Sequence, residues 1–460
     1  MESREKRFAT ENLNKLILSM VMPALMAQLI NALYNIVDRV YIGRIPGEGQ
    51  LALTGLGITF PILQIIVAFS AFAGSAGAPL ASRYLGRQNY DKAKEVLQTA
   101  VSLLILFSIS LMFIFYITKE PLLHLFGASE STFSYANSYL SIYLLGTIFV
   151  QFSVGLNPFI SGQGNAKIAM LSTLIGAVAN LILDPIFIFG LNLGVQGAAL
   201  ATVISQSLSA LWIVSYLRSN KSVIKLDFKS LSLKKEYVKP LFALGISPFI
   251  MQSTNSLVNI VLNSSFEHYG GDIYVGAMTI LASIATIQFI PIDAIRQGII
   301  PILSYNYGAR NKKRVLAIIR RLLFCTISAS ILTSVAILIW PELFVSIFSP
   351  NPELIELTSK LARVYFLGMP LFGVLMSAQG TFISFGFAKT SIVIAMLRKI
   401  IILIPFALIL PHFYGVMGIV YAQPIADVGA ILAAGFSLAI AVRYVIKNME
   451  DETTPNLSVS

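Results

Sequence analysis

Residues 28–38 read QLINALYNIVD, and residues 252–262 read QSTNSLVNIVL. Gln28, Asn31, Leu33, Asn35, Ile36 and Val37 recur as Gln252, Asn255, Leu257, Asn259, Ile260 and Val261 at the same spacing. In both copies the amides fall three or four residues apart, which on a helix sets them along one face. Both copies lie inside apolar sequence. They differ at the end: Asp38 closes the first, and Leu262 stands at its place in the second.

Three further matches follow in the same order. SRYLGRQNYDKAKEV (82–96) pairs with SYNYGARNKKRVLAI (304–318), at an offset of 222. FISGQGNAK (159–167) pairs with FISFGFAK (382–389), and GVQGAALATVISQ (194–206) with GVMGIVYAQPIAD (415–427). One half of the chain therefore repeats the other.

Composition states the solvent. The chain is 56% hydrophobic and 12% charged, with mean hydropathy +0.77 and net charge +11. A soluble domain carries about 25% charged residues, so most of this surface faces lipid. A crossing helix needs about 20 apolar residues, and runs such as 100–118 (AVSLLILFSISLMFIFYIT), 322–340 and 391–411 supply them. Spans are expected near 16–42, 52–80, 96–118, 136–160, 168–190, 195–217, 240–265, 274–302, 322–341, 358–383, 391–410 and 416–440. Open strands leave their backbone groups unsatisfied in lipid, so the expected class is an all-α membrane protein. It has twelve transmembrane helices in two pseudo-symmetric six-helix bundles.

Six spans return the chain to its starting side, so the repeats run parallel, about an axis along the membrane normal. The expected divisions are an N-terminal lobe 1–217, a linker 218–239 and a C-terminal lobe with tail 240–460. Arg4, Lys6, Arg7 and Lys15 precede the first span. Lys and Arg also crowd the loop after span two, the linker, and the loop after span eight, whereas the alternate loops hold little beyond Arg44 and Lys119. The positive-inside rule then puts both termini in the cytoplasm of a cell whose inner (plasma) membrane holds the chain. This bias accounts for the net charge without nucleic acid as a partner.

The polar N-terminal segment MESREKRFATENLNK argues against a cleavable signal peptide. Cys325 is the only cysteine, and His124, His268 and His412 are scattered. No disulfide, no multi-cysteine metal site and no cofactor is expected. No HExxH or GxSxG pattern points to an enzyme.

Carboxylates inside spans are costly, at about 2.5–3.5 kcal/mol on insertion scales, so each needs a reason. Gln28, Asn31, Asn35 and Asp38 share one face of span one. In span five, Asn180 and Asp184 stand four apart, and Pro185 removes a backbone donor beside the acid. The repeat position of Asp184–Pro185 is Ile404–Pro405, so the proline is kept and the acid is not. Both acids are thus particular to the first lobe. Asp38, Asn180 and Asp184, with Thr202 in span six, form the expected cation-coupling site, for H⁺ or for Na⁺ at Asp38 and Asp184. Filling the site cancels charge and so favours a different helix packing, provided the ion prefers one state.

Asn and Gln also glue membrane helices together, so the amide stripes admit a packing reading. Their other reading is a substrate cavity lined by Gln28, Asn31, Tyr34, Asn35, Asn157, Met251, Gln252, Asn255, Asn259 and Asp293, with Asn263 extending the stripe. In the second lobe, opposite charges at Asp293 and Arg296 and at Asp427 and Arg398 suggest internal ion pairs; the alternative is that Asp293 or Asp427 holds a cationic substrate or a second proton.

Twelve spans in two lobes, LGRQN and YGARN after spans two and eight, and LDPIFIFG followed by GVQGAALAT resemble the multidrug and toxic compound extrusion (MATE) family. The general cast is similar to its MepA-like and DinF-like prokaryotic branches. The resemblance covers nearly the whole chain. It implies a V-shaped cavity and alternating access, with export of organic, often cationic and lipophilic, small molecules by antiport with H⁺ or Na⁺, as a monomer in the bilayer. It also implies that an acid in span one and the Asn–Asp pair of span five bind the ion, here Asp38, Asn180 and Asp184. No acid stands in span ten, where some branches place one. A flippase for a lipid-linked or other amphipathic metabolite is the alternative, though such chains usually carry two more spans and a strongly cationic cavity.

Overall fold

A computed structural model describes residues 6–449. Residues 1–5, with Arg4, and the tail 450–460 lie outside the described residues, as do the side chains of Asn259 and Asn263. Every regular element among the described residues is helical. The spans are α1 (Leu13–Gly43), α2 (Gly49–Gly86), α3 (Tyr90–Leu125), α4 (Glu130–Leu145 with Thr147–Gly162), α5 (Ala166–Gly190) and α6 (Gly194–Arg218). The second set is α7 (Lys235–Gly270), α8 (Asp272–Gly308), α9 (Lys312–Ile339), α10 (Pro352–Tyr365 with Met369–Phe385), α11 (Ala388–Tyr414) and α12 (Val416–Asn448). Among the described residues nine of these are helices long and apolar enough to cross a membrane, and the bent pairs α4 and α10 bring the number to eleven; α7 is a helix of 36 residues at the place of the remaining span.

Most helices outrun the apolar stretches that announce them. Backbone hydrogen bonding continues into polar turns wherever a cap permits. The duplicated motif after the second and eighth spans shows how such a turn is built. Gln88 and Arg310 take left-handed backbone (φ 57° and 56°), ending one helix. Asn89 and Asn311 then cap the next, their side chains accepting from the amides of Lys92 and Arg314 at 3.0 Å.

Two spans are broken at matched glycines. α4 bends by 60° at Gly146 and α10 by 53° after Tyr365, around Gly368. A Cβ on Gly146 would come within 2.5 Å of the Val203 side chain, and one on Gly368 within 2.7 Å of Asp427 Cβ. Each glycine thus lets the broken span lie against the sixth helix of its own repeat.

Proline leaves a different trace in each half. In α5 a π-helical turn, Ile186–Gly190, follows Pro185, whereas in α11 the π-helical stretch, Leu397–Leu403, precedes Pro405. A missing N–H forces the hydrogen-bond register to slip, and the two repeats slip on opposite sides of it.

The chain divides into two compact units, Met1–Phe249 and Ile250–Ser460. In the first, α1 packs along α5, α5 along α6, and α2 against α4. Phe69, Phe72 and Phe107 meet Phe242 and Phe249 from the start of α7, with ring centroids 4.9–5.0 Å apart for Phe72–Phe242 and Phe69–Phe249. In the second, α8 packs on α9, and the second half of α10 on α8, α9 and α12. Its core gathers Leu262, Phe266, Leu281, Phe366, Phe372, Phe382 and Ala430.

Candidate functional site

Asp38 sits in the C-terminal part of α1, and Asn180 and Asp184 in α5, the helix along which α1 packs. All three are buried, Asp184 completely. The Asn180 Nδ2 donates to Asp184 Oδ1 at 3.1 Å. The carboxyl groups of Asp38 and Asp184 stand within hydrogen-bonding reach of each other. Asp38 Oδ1 and Asp184 Oδ2 are shielded from solvent and accept no hydrogen bond from the described residues. Two carboxylates cannot donate to one another. A buried pair at this range therefore needs a shared proton or a cation to relieve its repulsion. The oxygen-only donor set suits a hard cation such as Na⁺ equally well.

The surroundings of the pair are aromatic. Tyr34 on α1 lies in the electrostatic field of both acids. Tyr139 and Tyr143, four residues apart in α4, stack at 6.2 Å, and Tyr139 is close to both Asp38 and Thr202. Thr202 of α6 is partly buried. The two α4 tyrosines are absent from the set expected from sequence. Their only signal there was the four-residue spacing, which any span can show.

The proposed cavity residues fall into separate settings. Asn35 is exposed and its Nδ2 donates to the Asn31 carbonyl at 2.6 Å, a bond within α1. Gln28 is partly buried. Asn157 ties α4 to α5, donating to the Ala169 carbonyl at 2.8 Å and to Ser172 Oγ at 2.7 Å. Met251 and Gln252 are partly buried on α7, and Asn255 is exposed there.

Both ion pairs expected in the second half are present. Arg296 donates through Nε and Nη2 to Asp293 Oδ1, at 2.8 and 2.6 Å, and Gln297 Nε2 donates to Asp293 Oδ2 at 2.6 Å. Arg398 Nε donates to the fully buried Asp427 Oδ1 at 2.7 Å, with its guanidinium 4.5 Å from the centre of the Phe372 ring. Gln423 Nε2 adds contacts to Asp427 at 3.2 and 3.3 Å. Next to Arg398, the ammonium of Lys399 is held by the Met251 carbonyl at 2.6 Å and by Asn255 Oδ1.

Among the described residues no group of three or more His, Cys, Asp or Glu side chains is placed to hold a metal ion. An ion held by the acid pair and its amide would be one that passes through.

Known proteins agree with this architecture. The multidrug export protein MepA of Staphylococcus aureus (strain MSSA476) is 25% identical over 420 residues, 91% of this chain and 92% of its own. MepA of Staphylococcus haemolyticus (strain JCSC1435) is 24% identical, over 93% and 94%. Among solved structures, a MATE protein in the bent conformation superposes with a TM-score of 0.90 at 21% identity, covering 97% of this chain and 99% of its own. A MOP superfamily transporter from Pyrococcus furiosus with a binding pocket of reverse polarity gives 0.87 at 22%, with the same coverage. At those identities the structures speak to the fold. The MatE family model matches residues 23–186 and 248–409, most of each half, and this chain therefore belongs to the MatE family.

Proposed function

We propose that this protein is a secondary transporter of the plasma membrane that exports organic compounds, lipophilic cations among them, in exchange for H⁺ or Na⁺ by alternating access. The family and the relatives named as multidrug export proteins support export of drugs as the activity. The observation that carries the coupling is the pair of buried, mutually close carboxyls of Asp38 and Asp184, with Asn180 as their amide donor. A pair that needs a cation to stay buried has different affinities for it in different packings of α1 and α5. That difference is all an exchanger requires. Tyr34, Tyr139, Tyr143 and Thr202 frame the site. Both termini face the cytoplasm, by the distribution of Lys and Arg, and the working unit is a single chain.

Purified protein in liposomes, loaded with tetraphenylphosphonium, tests this. A pH gradient and a Na⁺ gradient are imposed separately. One of them is expected to drive uptake against the substrate gradient, and Asp38→Asn and Asp184→Asn are each expected to abolish that uptake while leaving the protein monodisperse. Full gradient-driven transport by either variant would remove the pair from the mechanism. Dependence on neither ion, with transport of a lipid-linked substrate, would favour the flippase.

A further inference from the structure

The second unit contains a buried charge that the acid pair does not account for. Lys399 is 7% exposed. Its ammonium donates to two oxygens, the Met251 carbonyl and Asn255 Oδ1, both on α7. Among the described residues it has no carboxylate partner, since Asp427 is bound by Arg398. An ammonium has three donors, and two are used. Beside it lies a cavity of about 10 Å³ lined by Lys399, Arg398, Gln379 and Met251 among others, room for about one water.

Charge counting sharpens the point. Arg398 and Asp427 cancel, and Lys399 remains as one uncompensated cation. Holding it costs free energy, offset by the two α7 oxygens. Lys399 itself belongs to the π-helical stretch of α11. Both acceptors therefore come from one helix and the donor from another, so a shift of α7 against α11 removes both at once. With Pro185 aligned on Pro405, the matching positions in the first repeat are apolar: Val178 and Ala179 stand where Arg398 and Lys399 do.

We propose that Lys399 is a second proton carrier of the exchanger, placed in the C-terminal unit. It holds its proton while α7 presents Met251 and Asn255, and releases it when a shift of α7 or an arriving organic cation takes that arrangement away. The inference rests on the exchange reading above and extends it. In the release step an N–H bond of the ammonium breaks, the amine nitrogen keeps the electron pair, and the proton passes to water. The arriving cation then restores the buried charge. Beside the lysine lie Arg398 on its own helix and Gln379 on α10; Asp427 and Gln423 on α12 and Tyr365 on α10 stand on the side of Arg398. On α7 no ionisable residue lies between Lys239 and Glu267.

The test is proton release on addition of tetraphenylphosphonium, followed with a pH dye on purified full-length protein in liposomes. Lys399→Gln and Lys399→Arg are each expected to release about one proton fewer per substrate bound than wild type, because arginine keeps the charge and donors but does not deprotonate. A packing role would be rescued by arginine, so wild-type release from Lys399→Arg overturns the proposal. Should that variant not fold, Asn255→Leu carries the test: with one acceptor gone, release at neutral pH is expected to fall and to recover in acid, and an unchanged profile at both overturns it. A wild-type protein that exchanges nothing under either gradient overturns both readings. A wild-type protein that exchanges, alongside an unaltered Lys399→Arg, overturns only this one.

Discussion

Replacing Arg398 with methionine gives the most quantitative forecast. Asp427 is fully buried, and its charge is met by Arg398 Nε at 2.7 Å and by the Gln423 amide at 3.2 and 3.3 Å. Methionine keeps much of the stem that lies over Phe372 but removes the charge. What remains is a buried carboxylate with one neutral donor. Breaking a buried pair from one side costs about 3–5 kcal/mol, roughly a hundredfold to several thousandfold in the folded-to-unfolded ratio. Replacing both partners, Arg398→Met with Asp427→Leu, removes the stranded charge as well, and such exchanges are about neutral or even stabilising. The assay is a double-mutant cycle of denaturant unfolding in detergent, on wild type, both single variants and the double. A coupling of about 2 kcal/mol or more is expected. Single-variant losses below about 1 kcal/mol, or a double variant as unstable as the two singles summed, would refute the reasoning.

Three further outcomes follow from other parts of the chain. Leu262→Asp places an acid where the first repeat has Asp38, but Leu262 is 3% exposed among Phe266, Leu281 and their neighbours; the expected result is a loss of roughly 3–5 kcal/mol and no second coupling ion, whereas a doubled ion-to-substrate ratio would contradict the site assignment. Glu95 pairs with Lys234 and accepts from the Tyr237 hydroxyl at 2.7 Å; Glu95→Ala is expected to speed tryptic cleavage at Lys234 and Lys235 by roughly three- to tenfold, read by the fragments on a gel. Asn89→Ala and Asn311→Ala remove matched helix caps, and each is expected to cost about 1 kcal/mol in the same detergent unfolding assay.

Some of this architecture was legible from residues alone, for identifiable reasons. Apolar runs and loop charge gave twelve spans, because lipid and the positive-inside bias both act on composition. The acid pair was legible because a carboxylate inside a span is rare, and because Leu262 and Ile404 show that its repeat positions do without one. The breaks in α4 and α10 were not: a single glycine in an apolar run reads as ordinary membrane sequence, and the bend depends on a neighbour, Val203 or Asp427, far along the chain. The same holds for Tyr139 and Tyr143, which in sequence look like any span aromatics. Lys399 was visible as a charge, but its two oxygens lie 148 and 144 residues away. Pattern within a helix is local, and pairing between helices is not.

The two glycine breaks are alike in angle and alike in what they forbid. At Gly146 a methyl group would meet both Val203 methyls, at 2.5 and 2.7 Å, with the Val203 Cβ at 3.1 Å, and a β-branched side chain in a helix is held to one rotamer. At Gly368 it would meet Asp427 Cβ at 2.7 Å, with the Pro424 Cα and carbonyl at 3.2 Å. Chance mutation should therefore be purged at both breaks. In a population of variants selected only for surviving function, alanine would be missing at Gly146 as well as at Gly368.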